Sequence, residues 1–314
     1  MFKKILKSFK KAEKILIFTH IHPDGDAIGS TFALKKALEY MGKKADIVLE
    51  RPLSVIYDYF NGAFITKDEL KDDYDLKVSL DCGDLERLGE VKEFFKGNTI
   101  NIDHHVSNSL FADINYADDK SAATGEIIYD LIKYMKIKIT TDIADGLYCA
   151  ILTDTGGFMF SNTSVRTHTI AAELIDKGAS YYTLNKKLMQ EKDYHRHIIT
   201  AKCIENMEFY EDGKICVSIF NNEMATELEM KTDDTNGLSA VPRTVKGVEV
   251  GILMTEIVKG IVKVSLRSDS IVDVSSVAEK FGGGGHKRAS GITLRDKDIY
   301  TLKDELIEEI KKCL

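Results

Sequence analysis

Residues 15–41 read ILIFTHIHPDGDAIGSTFALKKALEYM. The first four, Ile15 to Phe18, form a short apolar run of the kind that becomes a buried strand. Ala27 to Met41 carries helical periodicity and is stopped by Gly42. Between them, His20-Ile21-His22-Pro23-Asp24-Gly25-Asp26 places two histidines and two aspartates within seven residues. Pro23 and Gly25 make that loop a tight turn, so its side chains can converge. Asp26 alone would read as the cap of the helix that follows.

The same grammar repeats downstream. Ala45–Leu49 reads as the next strand. Leu76–Leu80 is another, ending at Asp81-Cys82-Gly83-Asp84, and Thr99–Ile102 runs directly into Asp103-His104-His105. Thr124–Tyr134 and Ile143–Leu152 read as helices, the second leading to Asp154. Strands alternating with helices imply a largely parallel α/β sheet, whose ligands bind at the carboxyl ends of the strands. The acidic and histidine clusters fall at those ends.

Further along, Thr169–Lys177 and Tyr182 to about Met207 read as helix. The texture then turns β-rich at Ile215–Phe220, Val248–Met254 and Ile261–Leu266, with short helical pieces at Asn222–Glu229 and Leu238–Arg243. A glycine tract, Gly282 to Gly285, precedes a short strand at Ile292–Leu294 and a last helix at Leu302–Cys313. The expected organisation is a parallel-sheet domain over 1–185, a helical connector over 186–208 and a smaller α/β domain over 209–314, in a chain of 314 residues.

Composition bounds the function. Hydrophobic residues make up 44% and charged residues 30%, as in ordinary globular proteins, which excludes disordered and fibrous classes. A net charge of -7 disfavours a protein that coats duplex DNA through bulk positive charge. Five scattered cysteines without a C-x-x-C pair argue against a disulfide framework or thiolate zinc site and fit a reducing, cytoplasmic setting. Ile15–Phe18 is too short for a membrane span or a signal segment. The lysine-rich start, Met1–Lys14, reads as a helix packed by Phe2, Ile5, Leu6 and Phe9 with its lysines solvated.

Carboxylates crowded at one sheet edge repel each other, and cations remove that conflict. Imidazole and carboxylate donors without thiolates suit manganese, with magnesium, cobalt or zinc as substitutes. There are donors enough for two divalent ions with a bridging carboxylate, and the chemistry natural to such a pair is in-line displacement at phosphorus by a metal-activated water.

The set His20-x-x-x-Asp24-x-Asp26, Asp81, Asp103-His104-His105 and Asp154 resembles the DHH phosphoesterase superfamily. Gly282-Gly283-Gly284-Gly285-His286-Lys287-Arg288-Ala289-Ser290-Gly291 resembles the glycine-rich signature of its DHHA1 domain. Within that superfamily the compact two-domain length is most similar to the bifunctional oligoribonuclease/pAp phosphatase (nanoRNase) group. The resemblance implies that His20, Asp24 and Asp81 hold one metal, and that Asp26, Asp81, His104 and Asp154 hold the other. It implies that His105 faces the scissile phosphate as donor or general acid, with Asp103 orienting its neighbours. Arg267, Gly283, Gly284, Gly285, His286 and Arg288 would grip the substrate. His22 is left without a role, and Asp84 is expected to be structural. Ser121 to Gly125 and Asn162-Thr163 also fit family patterns, though capping explains them equally well.

The expected activity is hydrolysis of short RNA or DNA oligonucleotides to nucleoside 5′-monophosphates, and of pAp to AMP, by a cytoplasmic enzyme for which the resemblance alone suggests a homodimer. The rival readings are a phosphodiesterase for cyclic dinucleotides or their linear products pApA and pGpG, and a RecJ-like single-strand exonuclease. A family II pyrophosphatase lacks the glycine–histidine signature, and a nucleotide-binding regulator would not need a complete metal set.

Overall fold

A computed structural model describes every residue except Asp72, Asn236 and the side chain of Asp233. The chain divides into two compact units, Met1–Glu191 and Lys192–Leu314. In the first, β1 (Lys14–Phe18), β2 (Lys44–Leu49), β3 (Phe64–Thr66), β4 (Leu76–Leu80), β5 (Thr99–Asp103) and β6 (Ile114–Ala117) form one sheet in the order β3-β2-β1-β4-β5-β6. Every pairing in it is parallel. The expected parallel α/β sheet is what forms. The order reverses between β1 and β4, which makes the carboxyl ends of those two strands the natural crevice of the sheet. The short β3 and β6 at its edges carry too little apolar periodicity to be read from sequence.

The helices of this unit are α1 (Phe2–Lys11), α2 (Gly25–Tyr40), α3 (Thr124–Tyr134), α4 (Thr141–Asp154), α5 (Val165–Asp176) and α6 (Tyr181–Asn185). Ile5 and Phe9 of α1 are fully buried while its lysines stay exposed, so that helix packs by one face. The core runs from Ile15 and Ile17 of β1 through Ile28, Leu34 and Leu38 of α2 to Leu147 and Ile151 of α4. Helices α2 and α4 touch backbone to backbone: a Cβ on Gly29 would lie 2.3 Å from the Gly146 carbonyl oxygen. That close approach needs glycine, and it brings the last residue of α4, Asp154, beside the start of α2.

The expected helix over 182–207 is interrupted. A π-turn at Lys186–Gln190 closes the first unit, and α7 (Tyr194–Glu205) starts anew where Asp193 accepts the Arg196 N–H at 2.7 Å. The segment 186–208 is thereby divided between the two units. The second unit holds β7 (Glu208–Tyr210), β8 (Ile215–Phe220), α8 (Asn222–Glu227), β9 (Val250–Val258), β10 (Ile261–Ser268), α9 (Val274–Lys280), β11 (Gly284–His286), β12 (Ala289–Arg295) and α10 (Ile299–Lys311). Its sheet runs β11-β12-β10-β9-β8-β7, antiparallel except for the β8–β9 pair. Among the described residues no helix is long and apolar enough to cross a membrane.

Candidate metal centre

Three adjacent strands deliver the acidic and imidazole groups. The chain leaving β1 supplies His20, that leaving β4 supplies Asp81, and β5 ends in Asp103 followed by His104 and His105. Asp24 caps α2, accepting the N–H groups of Asp26 and Ala27 at 3.1 Å. The sequence had offered Asp26 for that task. Instead the Asp26 carboxylate lies across the start of another helix, α3, accepting Thr124 N–H at 2.6 Å and Gly125 N–H at 2.9 Å. Helix α3 has no side-chain cap of its own, so a helix N-terminus fixes the Asp26 carboxylate. Asp81 sits at φ 54, a left-handed backbone rarely taken by non-glycine residues and often retained at functional sites.

These side chains meet. His20 Nε2 is 3.7 Å from Asp81 Oδ2. His104 Nε2 is 3.6 Å from Asp81 Oδ1, 3.7 Å from Asp154 Oδ2 and 3.8 Å from Asp26 Oδ2. Such separations are too long for hydrogen bonds. They approach the spacing of donors around a shared ion, about 3–3.5 Å for ligand bonds near 2.1 Å. Three sets of donor atoms converge: His20, Asp24 and Asp81; Asp26, His104 and Asp154; and Asp81, His104 and His105. Asp81 joins two of these, turning one oxygen to His20 and the other to His104. The Nδ1 of His104 faces the Ser121 carbonyl oxygen at 3.3 Å. Donation there leaves Nε2 with the lone pair aimed at the carboxylates, as a metal-binding imidazole requires.

The electrostatics favour a cation. Burial, aided by the charges of Asp81, Asp154 and Asp24, raises the Asp26 carboxyl well above its usual range. Burial outweighs the pull of His104 and, with Asp81 and Asp24, lifts Asp154 to about 6. Asp154 also ends its helix, where the dipole disfavours an anion. Asp81 goes the other way: burial would raise it, but the imidazoles of His20, His104 and His105 together hold it below the ordinary value. A set of buried carboxylates that resists ionising together, with imidazole donors and no thiolate, fits hard or borderline divalent ions.

His105 belongs to a second network. Its Nδ1 is 2.7 Å from Asp103 Oδ1 and 3.7 Å from Asp81 Oδ1. By distance His105 is a possible ligand, but the bond to Asp103 occupies that nitrogen. The Asp103 hydrogen bond, against the opposing effect of burial, raises the His105 pKa. Asp103 is itself fully buried and held by Asn108 Nδ2 at 2.6 Å, and Asn108 is tied to Asn101 at 2.8 Å. Asp84 accepts the Arg87 N–H at 3.0 Å, a local turn bond, and His22 is exposed outside the three donor sets.

Several supporting residues had been left out of the expected site. Thr124 Oγ1 donates to Asp81 Oδ1 at 3.1 Å, and Asn162 Nδ2 joins the carbonyl oxygens of Asp154 and Ala122 at 3.1 and 3.0 Å. Glu126, 1% exposed, accepts the Ala122 N–H at 3.4 Å and so braces the loop that presents Ser121 to His104. The signal for Ser121, Thr124 and Asn162 was in the sequence, where it could not be told from capping. Nothing there marked Glu126 or Asn108.

In the second unit, β11 is an edge strand of its sheet. Arg267 and His286 both pair with Ala289 in register and therefore share one sheet face. Burial lowers the Arg267 pKa, and no acidic partner offsets it among the described residues. Gly283 is needed by packing, since a Cβ there would lie 2.3 Å from the Gly291 carbonyl oxygen, while Gly284 faces open space. Gly285 lies between them and His286 on the strand. Arg288 does not join this face as a free cation. Its guanidinium donates to the carbonyls of Val272, at 2.9 Å, and Ser270, pinning the loop after β10.

Residues 14–151 match the DHH family, N-terminal domain, and residues 212–314 match the DHHA1 domain. The chain is 32% identical to the bifunctional oligoribonuclease and PAP phosphatase NrnA of Thermus thermophilus, over 96% of this chain and 90% of that protein. A probable enzyme of the same name from Streptococcus mutans is 28% identical, over 100% and 99%. A crystal structure of an exopolyphosphatase-related protein from Bacteroides fragilis superposes with a TM-score of 0.89 at 25% identity, covering 99% of this chain and 94% of that one.

Proposed function

The chain belongs to the DHH family, with the DHHA1 domain following in order, and on that premise we propose that it hydrolyses short oligonucleotides to nucleoside 5′-monophosphates and pAp to AMP and phosphate. The observation that carries this reading is the sharing of Asp81 between donor sets built on His20 and on His104. In this reading His20, Asp24 and Asp81 hold one divalent ion and Asp26, Asp81, His104 and Asp154 the second, with manganese favoured by the donor chemistry. Two such ions supply the polarisation of the phosphoryl oxygens and the activation of water that hydrolysis at phosphorus needs.

The chain's own residues do the rest. Asp103 holds the His105 imidazole by Nδ1 and favours its protonated form, so His105 can hand a proton to the departing ribose oxygen. Thr124, Ser121 and the α3 N-terminus fix Asp81, His104 and Asp26 before substrate arrives, so little reorganisation is needed at the moment of reaction. Met1–Glu191 is the catalytic unit, and Arg267 and His286 are the nucleotide-binding residues of the second unit. The relatives named above as oligoribonuclease and PAP phosphatase support the substrate class. Five free cysteines suit a reducing cytoplasm.

The test is a substrate panel with manganese: RNA and DNA from two to about 25 nucleotides, pAp, cyclic-di-AMP and pyrophosphate. Fast cleavage of dinucleotides and pAp, fading with length, is expected, as an acidic chain without an extended basic track would give. Processive degradation of long single-stranded DNA, or turnover of pyrophosphate alone, would overturn the proposal.

A further inference from the structure

The loop after Asp154 carries features that the hydrolytic residues do not explain. Phe160 is 56% exposed and Met159 82%, yet the backbone beneath them is firmly held. Gly156, Gly157 and Phe158 are left-handed in succession, at φ 56, 70 and 67; the glycines take this freely, but at Phe158 it is strain that persists only where the surroundings over-determine it. Here Phe158 is drawn inward, stacking on His168 with ring centroids 5.2 Å apart. The Phe160 N–H donates to the Thr155 carbonyl at 3.0 Å, and the Asn162 amide ties the far end of the loop to the Asp154 carbonyl at 3.1 Å. A side chain at position 156 would displace the Phe160 ring, because a Cβ would lie 2.4 Å from Phe160 Cζ. The outer edge of the Phe160 ring therefore rests on the Gly156 backbone. Gly156 is two residues from Asp154, so at 3.8 Å per Cα step the ring stands within about 10 Å of that residue's backbone.

We propose that the Phe160 ring is a stacking platform for one nucleobase of the substrate, the base belonging to the nucleotide whose phosphate lies at the aspartate–histidine cluster. This deepens the phosphoesterase reading and rests on it. A fixed, half-exposed aromatic ring beside an acidic cluster offers little to a bare phosphate. It offers a π-face to any base, and base–aromatic stacking is tolerant of sequence because every base has such a face. Phenylalanine adds no hydrogen-bonding group, so the platform does not discriminate among bases. Met159 beside it adds a polarisable thioether suited to aromatic contacts.

Three variants test the platform, Phe160→Ala, Phe160→Leu and Phe160→Trp, each assayed on a dinucleotide and on two analogues lacking the base on one side or the other. For the intact dinucleotide, Ala and Leu are expected to raise KM about tenfold with kcat within about twofold, whereas Trp keeps the wild-type KM. On one of the two abasic analogues this sensitivity vanishes, because the stacked base is gone. Sensitivity that persists on both analogues, or a Leu variant that behaves as wild type, overturns the stacking role. If the wild-type protein cleaves none of the three substrates, it is the phosphoesterase reading that fails.

Discussion

Replacing Asp154 by Asn keeps the side chain's shape, removes its charge, and should make the metal-free protein more stable above pH 6. Burial, with Asp81 and Asp24 adding to it against His104, lifts this carboxyl from an ordinary 3.8 to about 6. At 1.36 kcal/mol per pH unit that is about 3 kcal/mol, and the side chain is 27% exposed, shielded enough to keep most of it. The folded chain holds a proton on Asp154 between about pH 4 and 6 that the unfolded chain has already lost. Metal-free wild type therefore loses stability as pH rises through that window and stays at the lower level above it. At pH 8 the Asn variant should exceed wild type by up to about 3 kcal/mol, which in a unit of this size is about 6–12 °C in Tm. Near pH 4 the two should converge. Manganese should narrow that gap at pH 8: wild type gains about 2.7 kcal/mol at a hundred times Kd, and the variant, short of one ligand, gains less. Thermal unfolding of chelator-treated protein at both pH values, with and without manganese, measures all of this. A variant no more stable than wild type at pH 8 without metal, or stabilised equally by manganese, would refute the reasoning.

Other outcomes follow from the same geometry. Asp81→Ala should abolish hydrolysis of every substrate and the thermal stabilisation by manganese, because both donor sets that contain Asp81 lose a member; retained turnover would remove it from the site. Asp103→Asn should lower the His105 pKa, so that the fall in rate at high pH begins at lower pH and kcat drops by about 10–100-fold; an unchanged pH–rate profile would separate His105 from proton transfer. Arg267→Ala should raise KM for dinucleotides while leaving a small generic phosphodiester untouched, and equal loss on both would place the second unit in the chemistry. Gly29→Ala should cost about 1–3 kcal/mol of stability in denaturant unfolding, since its Cβ meets the Gly146 carbonyl at 2.3 Å; a neutral result would mean that α2 and α4 part without penalty.

Much of this protein was legible from residue order. Ile15–Phe18, Leu76–Leu80 and Thr99–Ile102 announce buried strands, and each is followed within a few residues by the acids and histidines that converge. The period of a parallel sheet places strand ends together, so motifs far apart in sequence could be assigned to one edge. What the order of residues did not contain was the partner of each polar group. Asp26, expected as a metal ligand with capping of its own helix as the alternative, caps α3, nearly a hundred residues away, rather than that helix, because Asp24 already satisfies the first N–H groups of α2. Arg288 looked like a substrate cation and spends its donors on carbonyls of the loop after β10. Glu126 and Asn108 carried no motif, since a buried carboxylate or amide is recognisable only from the unpaired groups that surround it. The sequence by itself determined which side chains bring charge and imidazole to the sheet edge, through local periodicity and motif. Only the tertiary structure decided which oxygen faces which nitrogen, because hydrogen bonds and burial are satisfied between elements that the chain order does not place side by side.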